Sequence, residues 1–222
     1  MLFMNLPVYF WFELLSLIIC LFFFRRLRHS ILFYFVPYLF LIVLFEFGML
    51  KGWFTNHTSN LWLINIITTI EFIFFSLILI AITKKRQIKR VASAALGTVV
   101  FLTIFNVLFI QGVHKLHTYT FLLGSALLIF NACYILYELL DFNTNGGSIL
   151  YEWSFWIVTG VLFFYLGEFV FFCFFEYMIR SKDIRYSSLF NNISTFSNAI
   201  LYTCIIIAVV CRNKVQKLSS LL

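Results

Sequence analysis

Five glutamates lie inside long apolar runs of this chain: Glu13, Glu46, Glu71, Glu168 and Glu176. A charged side chain at the centre of a hydrocarbon layer costs roughly 2.5–3.5 kcal/mol to insert, so it normally faces a protein interior or water and marks a binding or ion-handling site. Glu71 and Glu168 fall near the middle of their runs, and Glu13, Glu46 and Glu176 lie nearer one shared side. Their convergence predicts a deep acidic vestibule open to that side, suited to a small polar or cationic ligand. A second polar group follows at Gln111, His114 and His117. The two histidines are three residues apart, which puts both on one face if the segment is helical. Imidazoles beside Glu46 or Glu176 are able to take a divalent metal, a ligand or a proton. No third metal ligand stands at a diagnostic spacing, and hydrogen bonding to neighbours is the commoner role for such histidines. The ligand-binding candidates are Glu46, Glu71, Gln111, His114, His117 and Glu168, with no metal and no cofactor expected.

Positioning these residues requires spanning helices. The chain has 222 residues, of which 63% are hydrophobic, 21% aromatic and only 11% charged, and its mean hydropathy is +0.99. Soluble domains carry about 25% charged residues, so this composition excludes an ordinary soluble domain and calls for a lipid bilayer as solvent. Apolar runs cover 6–24, 31–50, 60–83, 91–112, 118–140, 153–178 and 189–211, each close to the roughly 20 residues a crossing needs. The runs are continuous rather than alternating, and lipid cannot satisfy unpaired backbone groups, which selects helices over a β-barrel. The expectation is an all-α, polytopic integral membrane protein, a seven-transmembrane-helix bundle forming one domain over 1–222.

Orientation follows from the basic residues. Arg25, Arg26 and Arg28, the cluster Lys84, Lys85, Arg86, Lys89 and Arg90, and the tail residues Arg212, Lys214 and Lys217 share one side; Lys51, Lys115, Arg180, Lys182 and Arg185 fall on the other. The positive-inside rule then places the amino terminus outside and the carboxyl terminus in the cytoplasm. The loop at 141–152, without Lys or Arg, and the one around Lys182, with three, run against it; the five-residue cluster decides. The net charge of +7 belongs to membrane topology and headgroup contact rather than to nucleic acid. The first run has no basic residues ahead of it and is expected to stay as an anchor rather than be cleaved.

Polar residues recur along faces of several runs: Asn65, Thr69 and Ser76; Asn131, Tyr134 and Glu138; Asn191, Ser194, Asn198 and Tyr202, with Asn106 deeper in its own run. At helical spacing these point inward, where interhelical hydrogen bonds average about 0.6 kcal/mol each. The five cysteines lie in or at the ends of runs without a C-x-x-C pair and read as packing residues. The sequons at Asn56 and Asn192 matter only in a glycosylating host. Retinal chemistry is excluded because the last run, Leu189 to Cys211, has no lysine. Nucleophile-elbow, H-E-x-x-H and glycine-rich nucleotide motifs are absent, and an intramembrane hydrolase built on His114 and His117 would need a metal-bound water that the spacing does not reveal. An enzyme is not expected.

The strings NIITTIEFIFFSLIL from Asn65, FIQGVHKLHTYT from Phe109, YILYELL from Tyr134, FWIVTGVLFFY from Phe155 and SNAILY from Ser197 resemble a family of small bacterial seven-helix membrane proteins associated with two-component sensor kinases. The resemblance covers most of the chain. It implies a bacterial inner-membrane location and a role in signalling, with a histidine kinase or another membrane protein as partner, and it raises Glu71, His117, Glu138 and Tyr165 over Glu13 and Glu176. Two functions from different classes follow. One is a sensor or sensor-associated subunit that binds its ligand in the acidic pocket and signals through the partner-binding residues Lys84, Lys85, Arg86, Lys89 and Arg90. The other is a small cation- or proton-coupled transporter or channel using Glu71 and Glu168, with Glu138 as the inner gate. A structural subunit of a larger assembly, or a homo-oligomer, also suits the short loops.

Overall fold

The computed structural model describes residues 6–54, 60–112, 115–142, 148–181 and 184–219, with side chains described for these except 142, 175–181, 184–187, 190, 191 and 214–219. His114, Glu176, Asn191, Asn56, Arg180, Lys182, Arg185, Lys214 and Lys217 therefore lie outside the described side chains. The helices are α1 (Val8–Phe22), α2 (Phe24–Leu27), α3 (Phe35–Leu50), α4 (Leu61–Ile82), α5 (Arg86–Phe105), α6 (Thr118–Phe142), α7 (Trp153–Ser181) and α8 (Ile184–Ser219). No strand occurs among the described residues.

Six segments are long and apolar enough to cross a membrane: Ile31–Leu50, Leu61–Ile82, Arg86–Ile110, Thr118–Asp141, Trp153–Phe174 and Asn192–Asn213. These are what an integral membrane protein requires. The first expected crossing is shorter, because α1 has 15 residues and breaks at Phe23 (φ −93°, ψ 9°) before the single turn of α2. The basic cluster also differs from expectation. Arg86, Lys89 and Arg90 belong to the first turns of α5, and only Lys84 and Lys85 lie in the connection.

Local chemistry sets the ends. Ser30 caps a single 3-10 turn, Ile31–Tyr34, by accepting the Leu32 N–H at 3.4 Å. Pro37 then sits in the first turn of α3, where its missing N–H would have had no helical partner. At the far end of α5 a π-helical turn, Asn106–Ile110, is closed by Gln111 N–H donating to the Asn106 carbonyl at 2.8 Å. Gly112 follows with φ +78°, a left-handed conformation that only glycine adopts cheaply, and turns the chain toward α6.

Packing orders the bundle. The most extensive contact is between α7 and α8; α1 packs on α8 and α3, α6 on α7, and α4 on α5, α6 and, more lightly, α7. A continuous buried layer of Phe35, Leu39, Phe75, Leu79, Ile135, Ile157, Tyr165, Leu201 and Ile205 fills the middle. Between α3 and α4 the helices meet through rings rather than backbones: Tyr38 stacks on Phe74 with centroids 4.0 Å apart, and Phe35 meets the same ring edge-on at 5.1 Å.

Candidate functional site

Four acidic residues come together from four helices: Glu13 on α1, Glu46 on α3, Glu71 on α4 and Glu168 on α7. Glu71 is within electrostatic reach of both Glu168 and Glu46, and Glu13 of both Glu46 and Glu71. Glu13 is 1% exposed and Glu168 8%. Tyrosine hydroxyls pack against the group. Tyr38 Oη donates to Glu71 Oε1 at 2.8 Å, and Tyr9 Oη to Glu46 Oε2 at 3.3 Å. Ser194 on α8 hydrogen-bonds Glu168, while Tyr165 and Tyr202, each almost completely buried, lie close enough to feel Glu71. Glu13 Oε1 is buried with no hydrogen-bond partner. The groups that act on these four carboxylates are one another, the Tyr9 and Tyr38 hydroxyls and Ser194, none of them basic.

The sequence brought these acids to one place but pointed to an open vestibule around them. The bundle's three described recesses are lined by none of the four carboxylates. Tyr9, Tyr38 and Tyr202 pack there instead, and of these only Tyr202 carried a sequence signal, its place on the polar face of the last helix. Tyr9 and Tyr38 are indistinguishable in sequence from the many interfacial aromatics.

A second network surrounds His117. The described residues between Gln111 and His117 are not helical, so the spacing argument for a shared histidine face does not apply there. His117 immediately precedes α6, and its main-chain N–H donates to Asn65 Oδ1 at 3.2 Å. Its ring Nε2 lies 2.9 Å from Thr68 Oγ1 and 3.3 Å from the Asn65 carbonyl, and Nδ1 lies 3.2 Å from Thr120 Oγ1. Both ring nitrogens are thus engaged by neutral groups. Asn65 Nδ2 donates to the Lys115 carbonyl at 2.7 Å, Gln111 Nε2 to Thr118 Oγ1 at 3.0 Å, and Asn106 Nδ2 to Gln111 Oε1 at 2.6 Å. This is an architectural knot that fixes the start of α6 against α4 and the π turn. No group of three metal-ligating residues occurs among the described residues. A cavity of about 10 Å³ beside it, lined by His117, Thr103, Thr120, Ser125 and Tyr165, has room for about one water. Ser125 Oγ, buried there, has no protein hydrogen-bond partner.

Burial lowers the His117 pKa below its usual value, against smaller opposing effects from backbone hydrogen bonds. The unfolded chain takes its proton at about pH 6.5; the folded chain resists until lower pH. Stability contributed by the neutral ring is therefore present above about pH 6.5 and lost as the pH falls from there toward the folded value. The groups facing the ring, Asn65, Thr68, Thr120 and Tyr165, are uncharged at these pH values. Thermal unfolding between pH 7.5 and 5.5 is expected to show an acid-side loss that is reduced in His117→Gln; equal slopes in the two proteins would exclude a buried neutral histidine.

At the opposite end of the bundle, Glu138 on α6 accepts the Lys84 N–H at 3.1 Å through Oε2, while its Oε1 is buried without a partner. The carboxylate thereby caps the α4–α5 connection. Lys85 lies over the Tyr134 ring at 5.9 Å, and Lys89 Nζ reaches the Ala81 carbonyl at 3.5 Å. A recess of about 260 Å³ between α4, α5 and α6 is lined by Ser76, Asn131 and Tyr134 among apolar residues.

No protein-family model, curated protein or solved structure matches the chain.

Proposed function

We propose that the chain is a seven-helix membrane sensor, or the membrane subunit of one, that binds a small cation among Glu13, Glu46, Glu71 and Glu168. The observation that carries this reading is a chain of four carboxylates inside the bundle, with Glu71 within reach of Glu13, Glu46 and Glu168, no basic group among those that act on them, and one of them holding a buried, unpartnered oxygen. Negative charge at that depth is costly unless a proton or a cation compensates it. The Tyr9–Glu46 pair lies toward the side where α1 begins and α3 ends, which makes that side the entrance. With the amino terminus outside, the acidic cluster is reached from the outer side.

The seventh crossing is α1 and α2 together. The twenty residues from Val8 to Leu27 rise about 30 Å at helical pitch, the thickness of the hydrocarbon core. The basic residues Lys84, Lys85, Arg86, Lys89 and Arg90 then lie on the cytoplasmic face of a bacterial inner membrane, where a histidine kinase or another membrane protein receives the signal. Binding shifts the bundle only to the extent that the cation prefers one of two packings.

The direct test is thermal unfolding of the purified chain in lipid nanodiscs against sodium, potassium, ammonium, magnesium, calcium and choline. One of them should raise the midpoint with saturable dose dependence; no response to any would remove the cation reading. A second reading is favoured by the polar residues that continue inward as Ser76, Asn131, Tyr134 and Glu138: a cation- or proton-coupled transporter or channel. Flux into proteoliposomes that disappears in Glu71→Gln would select it, and binding without flux would select the sensor.

A further inference from the structure

The recess of about 260 Å³ between α4, α5 and α6 is a cleft between α5 and α6 with α4 as its floor. The sequence makes the space. On α5, Ile88, Ala92 and Ala95 follow at i, i+4 and i+7, one face of the helix, and the two alanines leave a gap there. The mouth is turned away from the bundle: Val91 on α5 is 66% exposed and Phe130 on α6 73%. Inside, the lining turns polar. Ser76 on α4 is 6% exposed and Asn131 on α6 is half-buried; both line the cleft, and neither side chain has a hydrogen-bond partner among the described residues. A hydroxyl and an amide left unsatisfied in hydrocarbon cost free energy that a bound polar atom recovers. Depth narrows the choice of occupant. Ser76 stands seven residues before Thr83, which ends α4, and Asn131 seven before Glu138, which meets the main chain just beyond Thr83. Both are therefore about 10 Å inside that end of the bundle, deeper than phospholipid headgroups, which stay outside the hydrocarbon core.

We infer that this cleft binds a lipid-soluble quinone, its carbonyl-bearing ring between α5 and α6 and its hydrocarbon tail leaving through the mouth into the bilayer. A ring carbonyl accepts from the Ser76 hydroxyl or the Asn131 amide N–H. In the quinol form the ring O–H donates to the Asn131 side-chain oxygen or to Ser76 Oγ, because both side chains donate and accept. An apolar tail gains nothing from hydrophobicity by leaving bulk lipid, so the preference must come from these hydrogen bonds. Drug-sized ligands fill pockets of about 300–1,000 Å³, so this smaller space takes a substituted ring and not a whole lipid. Phe72 and Tyr134, which also line it, supply aromatic surface for a flat ring. The inference does not rest on the acidic cluster.

Thermal unfolding of the purified chain in lipid nanodiscs tests it with two probes, decyl-benzoquinone and decylbenzene, which share a tail and differ in the ring oxygens. The quinone should raise the midpoint with saturable dose dependence, at about tenfold higher apparent affinity than the hydrocarbon. Ser76→Ala combined with Asn131→Leu should remove that preference and leave both probes equally weak. Ala95→Phe and Ala92→Leu, which fill the cleft, should each abolish the quinone response with Ser76 and Asn131 in place, while Phe101→Trp on the exposed face of α5 should leave it unchanged. No response of the parent chain to the quinone, or an equal response to the two probes, would overturn the proposal, as would an undiminished preference in the double variant or an unchanged response in both filling variants.

Discussion

Glu71→Gln is expected to weaken cation binding by about tenfold to a hundredfold, a loss of about 1.4–2.7 kcal/mol, while leaving the empty bundle as stable as before or more so. Gln has the shape of Glu and keeps an oxygen at the position of Oε1, so it can still accept from Tyr38, whose hydroxyl lies 2.8 Å from that atom. What the substitution removes is charge. In the empty state that charge is repelled by Glu46 and Glu168, and its loss relieves the cluster. In the bound state it is an attraction of the size measured for a hydrogen bond to a charged group, about 1.5–3 kcal/mol. At a cation concentration about 100 times the parent Kd, occupancy stabilises the fold by about 2.7 kcal/mol, and a site a hundredfold weaker retains about 0.4 kcal/mol of this. Thermal unfolding with and without cation separates the two effects. A variant destabilised without cation, yet stabilised by cation as much as the parent, would mean that Glu71 is a structural hydrogen-bond acceptor and not a ligand.

The long apolar runs were readable because lipid, unlike water, leaves a spanning segment no choice but to satisfy its backbone internally. Hydropathy therefore located every long helix. The fine structure at their ends was not readable. The break at Phe23 comes just before the arginines that end its apolar run, and the π turn at Asn106–Ile110 just before Gly112, but neither segment contains a glycine or proline that would fix its geometry. The meeting of the acidic residues was legible for a related reason: each is too costly to face lipid, so inward placement from four helices forces them together. What the space between them contains depends on which neighbours point inward. In a chain with 31 Phe and 11 Tyr, nothing in the sequence singles out Tyr9 and Tyr38 for that position. The histidine pair is a different case. Their spacing had meaning only on a helix, and Gly112, the one residue there free to take a positive φ, is the signal that the segment turns instead.

One sequence signal of large energetic weight went unread: Gly160 and Gly167 on α7 are seven residues apart, as are Ser197 and Cys204 on α8. The helices run antiparallel, so the pairs match in reverse order. A Cβ at Gly160 would lie 2.7 Å from Cys204 Cβ, and one at Gly167 would collide with Ser197 Oγ. Small residues at such a seam let helix backbones approach closely, which is the main source of helix association where lipid removes the hydrophobic drive. Gly160→Ala and Gly167→Ala are each expected to cost about 1–3 kcal/mol by overpacking. Gly97→Ala on α5, where nothing lies within 4 Å of the added atom, should cost nothing and gain up to about 1 kcal/mol in helix propensity. The second half of the test is a swap. Ser197→Gly should restore most of the loss in Gly167→Ala but not in Gly160→Ala, because the two contacts are about 10 Å apart along the helix. Unfolding midpoints in a single detergent decide it, and additive losses at Gly167 and Ser197 would mean that the close approach does not exist. The consequence reaches the acidic cluster, because Glu168 follows Gly167 directly and its partner Ser194 stands one turn from Ser197. Any side chain that separates α7 from α8 at Gly167 also pulls Glu168 from the hydroxyl that holds it, so Gly167→Ala should weaken the cation response as well as the fold, and Ser197→Gly should restore both.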